Sequence, residues 1–240
     1  MLVLEILSES NSFIAASEIA TQHDERKYFS LTSVQHLEND TVGKVLALVT
    51  LSPIFICVMY ATLLVFNRDL QIFVMSFGQM LNVVLNEILK QVINQPRPGV
   101  VDRHDSGMPS NHAQFLFFFA AYFSLSMRNR ISGPSVVADI FVTVGVHVLA
   151  ILTAYSRVYL SYHTVPQVLV GSAVGSIMGI FWSFIAKVLH SSCISKIPNS
   201  KVGELLLLKD YSQLSDIPSH EYSSIMAVLD AGGNQHAKVQ

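Results

Sequence analysis

Charge is what this sequence has least of. Only 13% of its 240 residues are Asp, Glu, Lys or Arg, against about 25% in an ordinary soluble domain. The net charge of −2 excludes a broad basic surface for nucleic acid. There are two cysteines; Cys57 lies inside an apolar run and Cys193 beyond the last one. Thiols so placed suggest no disulfide framework and leave the redox compartment open. The opening stretch MLVLEILSES carries Glu5 and no basic residue, so it reads as a poor signal peptide, and no Arg-rich transit pattern is evident. No HExxH pattern and no Cys/His cluster offers a metal site.

What the chain has in quantity is apolar length. It is 51% hydrophobic, with a mean hydropathy of +0.45, which places it in the membrane class. Residues 1–41 are polar and without a clear period, and read as a tail. Residues 45–66 carry no charge and are long enough to span a bilayer, which takes about 20 residues; Pro53 is expected to kink this segment. A second span runs over 70–89, with Glu87 its only charge. The run 113–127 is short for a span and is expected to borrow residues upstream of His112. Further spans cover about 135–155 and 165–186. In the last, Gly171, Gly175 and Gly179 are four apart, a spacing that lets two helices approach closely. The expectation is therefore an all-α, polytopic helical bundle of about five transmembrane helices. It comprises a tail at 1–41, a membrane-embedded domain at 42–187 and a C-terminal tail at 188–240. In that tail the run LLLL at 205–208 is too short to span and suits the membrane surface.

With five spans, the polar loops 90–111 and 156–164 share a side with the N-terminus. Three clusters lie there. In KQVINQPRP, Lys90 and Arg97 are seven apart and would share a helix face, and Pro96 and Pro98 end that helix nearby. Alone, the pair reads equally as basic residues snorkelling at a helix end. In GMPSNHAQF, Ser110 suits an N-cap. The backbone N–H groups of Asn111 and His112 then face any bound anion, and His112 is placed as a general acid. In SRVYLSYHTVPQ, Arg157 offers a fork of donors suited to phosphate oxygens. His163, six residues on, has a ring nitrogen able to attack phosphorus. A lone loop histidine is more often solvated and inert.

Taken together, the spacings K-x6-R-P, P-S-x-H and S-R-x5-H resemble the three-part signature of the phosphatidic acid phosphatase type 2 superfamily. The resemblance covers about residues 45–187. GMPSNHAQF and SRVYLSYHTVPQVLVG closely resemble its dolichyl-diphosphatase branch, and LLLKDYSQLSDIPSHEY extends the likeness to about residue 222. The resemblance implies that His163 is the nucleophile and His112 the acid. It implies that Lys90, Arg97, Ser110, the Asn111 backbone and Arg157 hold the phosphoryl group. Positive charge from such a cradle suits phosphoryl transfer, so no metal and no cofactor is expected.

Two positions depart from the pattern. Asn111 stands where the family usually has Gly, a steric change that keeps the backbone donor. Gln167 stands where Asp is usual, four residues past His163; its carbonyl still orients the imidazole but makes it less basic. Gln is usual there in the dolichyl-diphosphatase branch. The implied activity is hydrolysis of dolichyl diphosphate at the lumenal face of the endoplasmic reticulum membrane, serving protein N-glycosylation. The partners implied are a polyprenyl diphosphate lipid and the bilayer; no motif points to a protein partner or to nucleic acid. Another lipid phosphate remains the alternative substrate. A non-catalytic lipid-phosphate binder would be expected to lack His112 or His163, and both are present.

Overall fold

The computed structural model describes residues 40–98, 106–128, 136–212, 214 and 217–237. All of these fall in one compact unit, 36–240. The N-terminal tail and most of the turn expected at 128–134 lie outside the described residues.

Helix α1, Thr41–Val49, begins at Asp40, whose Oδ1 accepts from the Gly43 N–H at 2.8 Å and so satisfies a first-turn donor. The chain breaks at Thr50–Leu51 and resumes as α2, Ser52–Phe66, with Pro53 in its first turn. The span is thus interrupted just before Pro53, which sits in the first turn of the second helix, where its missing N–H costs nothing. The two hydroxyls at the break are tied to the next apolar layer: Thr50 to Ser156 at 2.8 Å and Ser52 to Thr153 at 2.9 Å. Together α1 and α2 make one candidate span of 26 residues.

Helix α3, Leu70–Ile93, is capped by Asp69 and ends at Asn94 in the left-handed region (φ 44°). That residue stops the helix before Pro96, so Arg97 lies beyond the helix and does not share a helical face with Lys90. Helix α4 is Asn111–Arg128, α5 is Val136–Tyr159 and α6 is Val165–Ser192. α5 runs further than the sequence suggests and carries Arg157 in its last turn.

Among the described residues four segments are long and apolar enough to cross a membrane: Thr41–Phe66, Leu70–Ile93, Asp139–Tyr159 and Val165–Ser192. The fifth expected helix, α4, occupies the centre. Ala113, Leu116 and Phe118 on it have no accessible surface. Around it pack Ile56 and Tyr60 of α2, Met75 of α3, Ala150 of α5, and Trp182 and Ala186 of α6. Tyr60 meets Phe119 edge-on, with centroids 6.0 Å apart.

The glycine spacing finds its partner in α4. A Cβ on Gly171 would lie 2.6 Å from the Ser110 carbonyl oxygen, one on Gly179 2.7 Å from that of Phe118, and one on Gly175 against that of Gln114. The backbones of α4 and α6 thus touch over two turns, a closeness only glycine permits.

At the end of the bundle formed by the α2–α3 turn, the chain after α6 folds back. A 3-10 turn (Ile194–Lys196) and helix α7 (Lys201–Leu206) lead to Lys209, which pairs with the turn: Leu70 N–H donates to Lys209 O at 3.0 Å and Lys209 N–H to Arg68 O at 2.9 Å. His190 and Asp210 meet at 2.8 Å. Leu205, Leu206 and Leu207 remain exposed, as suits a segment lying on an apolar surface. The last helix is α8, Ile217–Ala237.

Candidate active site

The C-terminal ends of α3 and α5 and the N-terminal ends of α4 and α6 meet at one end of the bundle. They bring the three sequence clusters together. His112, half-buried in the first turn of α4, lies within electrostatic reach of Arg157, His163, Arg97 and Lys90.

The third cluster owes its geometry to how α5 ends. Ser161 adopts φ 57°, and both Tyr162 N–H and His163 N–H donate to the Arg157 carbonyl at 3.0 Å. This wrapped C-terminus satisfies last-turn carbonyls and reverses the chain. It also explains the six-residue spacing: His163 is delivered back beside the turn that carries Arg157. The Tyr162 ring lies 4.1 Å from the Arg157 guanidinium, and this stacking fixes the fork.

His163 is buried, and its Nδ1 faces two acceptors, the Gly107 carbonyl at 2.9 Å and Gln167 Oε1 at 3.3 Å. Two carbonyl oxygens require Nδ1 to carry the hydrogen. The lone pair is therefore on Nε2. Burial first, then the positive charge of Arg157 and Arg97, hold this imidazole down to about 3, against the opposing bonds to Gln167 and Gly107. It is thus neutral across the physiological range, with its Nε2 lone pair unprotonated.

Gln167 does what a carboxylate could not. Its Oε1 accepts from His163 and from the Thr164 N–H (3.2 Å), while its Nε2 donates to Pro96 O at 2.9 Å and Gln95 Oε1 at 3.3 Å. An Asp or Glu here would set lone pairs against the Pro96 carbonyl. The departure from the usual Asp therefore has a local reason: this side chain ties the loop after α3 to the start of α6.

Ser110 stands at the start of α4, where its carbonyl accepts from Gln114 N–H at 3.0 Å and its N–H donates to Gln167 O at 3.0 Å. It is fully buried, yet its Oγ has no hydrogen-bond partner. The expected side-chain cap is not formed. The hydroxyl stands beside the first-turn N–H groups of Asn111 and His112, which have no intrahelical acceptor. A buried orphan hydroxyl at a helix start fits an anion. Lys90, 7% exposed, reaches the same end from α3 and is 3.1 Å from Glu87.

Sequence reasoning missed several contributors. Gly107 presents its carbonyl to His163, and a Cβ there would fall 2.8 Å from Gln167 Nε2 and 2.9 Å from Arg97 Cγ. Gln95 accepts from Gly107 N–H at 2.7 Å. Asn82, Asn86 and Gln114 form a buried polar group beneath the cradle. Their signal was present: Gln79, Asn82, Asn86 and Lys90 recur at three- and four-residue steps along one apolar helix.

Residues 71–189 match the PAP2 superfamily, and these are the residues that build the site. The chain belongs to the PAP2 superfamily. It is 34% identical over 204 residues to "Dolichyldiphosphatase 1" of Dictyostelium discoideum, covering 83% of this chain and 89% of that protein. It is 35% identical over 207 residues to "Lipid phosphate phosphatase gamma" of Arabidopsis thaliana, covering 84% and 92%. Among solved structures it resembles a transmembrane PAP2-type phosphatidylglycerolphosphate phosphatase from Bacillus subtilis. The TM-score is 0.53 and the identity 18%, with 78% of this chain and 92% of that chain covered; the likeness there is one of fold. By its relatives this is a multi-pass membrane phosphatase.

Proposed function

We propose that the chain hydrolyses dolichyl diphosphate to dolichyl phosphate and inorganic phosphate through a phospho-histidine intermediate. The observation that carries the mechanism is the pair of acceptors on His163 Nδ1, which leaves a lone pair on Nε2 within the cationic cradle. His163 Nε2 attacks the terminal phosphorus, and the bond to the bridging oxygen breaks. His112 gives its proton to the departing dolichyl phosphate. Water then attacks the phosphoryl-imidazole, His112 takes the water's proton, and phosphate leaves with His163 restored. Lys90, Arg97, Arg157, Ser110 Oγ and the Asn111 N–H hold the equatorial oxygens, where charge accumulates. Gln167 orients the nucleophile.

The substrate rests on the names of the relatives, among which dolichyldiphosphatases recur. With that substrate the site faces the lumen of the endoplasmic reticulum, and the reaction returns the lipid carrier to protein N-glycosylation. The plant relative, named as a lipid phosphate phosphatase, supports a second reading, a phosphatase for another lipid phosphate; phosphatidic acid and other polyprenyl diphosphates are the candidates to try. Phosphate release by the purified chain from a panel of polyprenyl diphosphates and lipid monophosphates separates the two. The expected result is preference for dolichyl diphosphate, and loss of about a thousandfold or more in kcat for a folded His163→Ala. Near wild-type turnover by that variant would end the mechanism. Preference for phosphatidic acid would replace the substrate.

A further inference from the structure

We infer that Asn82, Asn86 and Gln114 form a positioning network that sets the register of α3 against α4 and thereby aims the acid His112; the inference rests on the phosphoryl-transfer mechanism proposed for this site. Each of the three is at most 1% exposed, inside apolar helices. Asn86 Nδ2 donates to Gln114 Oε1 at 2.7 Å and reaches the Pro109 carbonyl at 3.4 Å. Gln114 Nε2 donates to Asn82 Oδ1 at 2.9 Å and to the Asn82 carbonyl at 3.0 Å, and Asn82 Nδ2 reaches the Gln114 carbonyl at 3.4 Å. The bonds cross between the helices in both directions.

Placement gives this ring its meaning. Asn86 is one helical turn before Lys90 on α3, and Gln114 is one turn after Ser110 on α4. The ring is thus the first layer below the cradle. A slide of α3 along α4 would move Lys90 against Ser110 and His112, and these bonds oppose it. Leu and Met would fill the same space and suit a membrane interior better, since buried polar groups are costly there. Packing alone gives no reason for three amides. Gly175 of α6 presses against the same Gln114 carbonyl, so α3 and α6 both hold α4 at this level.

Removing the ring whole separates a positioning role from a purely structural one. Replacing every partner of a buried hydrogen-bonded group by apolar groups of like shape leaves no orphan and is nearly neutral for stability. The triple variant Asn82→Leu/Asn86→Leu/Gln114→Met does this for the three side chains, and leaves only the Pro109 carbonyl without the long 3.4 Å bond from Asn86. A misaimed acid harms reactions in which the leaving group needs its proton, more than those in which it does not. Two substrates report this: a polyprenyl diphosphate, whose leaving group is a phosphate, and a lipid monophosphate, whose leaving group is an alkoxide.

The experiment measures thermal midpoint, KM and kcat of the purified full chain and the triple variant on both substrates. The milder Asn86→Ser is carried alongside. The expected result is a folded triple variant with KM nearly unchanged. Its kcat should fall about tenfold on the diphosphate and about a hundredfold on the monophosphate, the scale of an ångström of misplacement. Asn86→Ser should show the same inequality, less strongly. A folded triple variant with wild-type kcat, or with equal losses on both substrates, overturns the inference while leaving the phosphatase reading intact. Failure of both variants to fold would assign the ring to folding alone and overturn it as well. A wild-type chain that releases no phosphate from either substrate overturns the reading and this inference with it.

Discussion

Along α4, Leu116 and Phe118 have no accessible surface, whereas along α5 Phe141 is 74% exposed and Val137 65%. Both helices are apolar, and both carry site residues at the same end of the bundle, His112 on α4 and Arg157 on α5. α4 is enclosed by protein and α5 turns most of its surface outward. In water that contrast would mean core against surface. In a bilayer lipid is as apolar as leucine, so burial brings no hydrophobic gain and helices associate by close packing and hydrogen bonds. Hence α4 is the helix with glycines of α6 against its backbone and amides of α3 bonded to its side chains, while α5 meets α1–α2 through hydroxyl pairs. The enclosed helix sets the geometry of the site, and the outward one supplies a fixed cation at its end.

The sharpest way to break this contrast is to put a side chain where α4 and α6 touch. Gly175→Val has no room beside the Gln114 carbonyl, and the expected outcome is loss of folded, detergent-stable protein, read by size-exclusion and thermal scan. A smaller test exchanges like for like on the two helices. Phe118→Ala should cost about 2 kcal/mol through the cavity it leaves, the transfer part of the soluble-protein cost being absent in lipid. Phe141→Ala on α5 should stay within about 0.5 kcal/mol. Equal effects would mean that α4 is not enclosed as described.

At the end where the two helices meet, Gln167→Glu adds a negative charge beside His163 and sets it against the Pro96 carbonyl. The wild-type imidazole, held down to about 3, should contribute no acid limb to kcat/KM near pH 6.5. The variant should acquire one, because a carboxylate raises an imidazole's affinity for protons. The same depression has a sign for stability. The unfolded histidine, ordinary value about 6.5, binds a proton that the folded one refuses. The contribution of neutral His163 is therefore complete above about pH 6.5 and is lost as pH falls towards 3. An unchanged kcat/KM profile in Gln167→Glu would remove that glutamine from the tuning of the nucleophile.

The smallest effect is expected on the outward helix. Gly145 has nothing within 4 Å of an added Cβ, so Gly145→Ala should leave activity alone and gain about 0.5–1 kcal/mol from helix propensity. A loss of activity there would show a role for α5's outer face that its contacts do not reveal.

By itself the sequence determined the class and nominated the residues proposed for the chemistry. Long uncharged runs can satisfy their backbones in a bilayer only as helices, and the prolines and most of the charged residues fell near where those helices end. The motif spacings singled out His112, His163 and the basic residues, because such groups stand out where apolar helices end and the polar loops between them begin. The tertiary structure decided which apolar run is enclosed, since lipid-facing and protein-facing leucine or phenylalanine look alike in composition. It showed that the glycines of α6 answer α4, that Ser110 Oγ is left without a partner, and that Arg97 lies beyond the helix of Lys90. It also gave Gln167 four hydrogen bonds that make a carboxylate unsuitable. Each of these depends on atoms brought together from distant parts of the chain. Spacing fixes a residue's place on its own helix, but the neighbour it meets is fixed only when the helices pack.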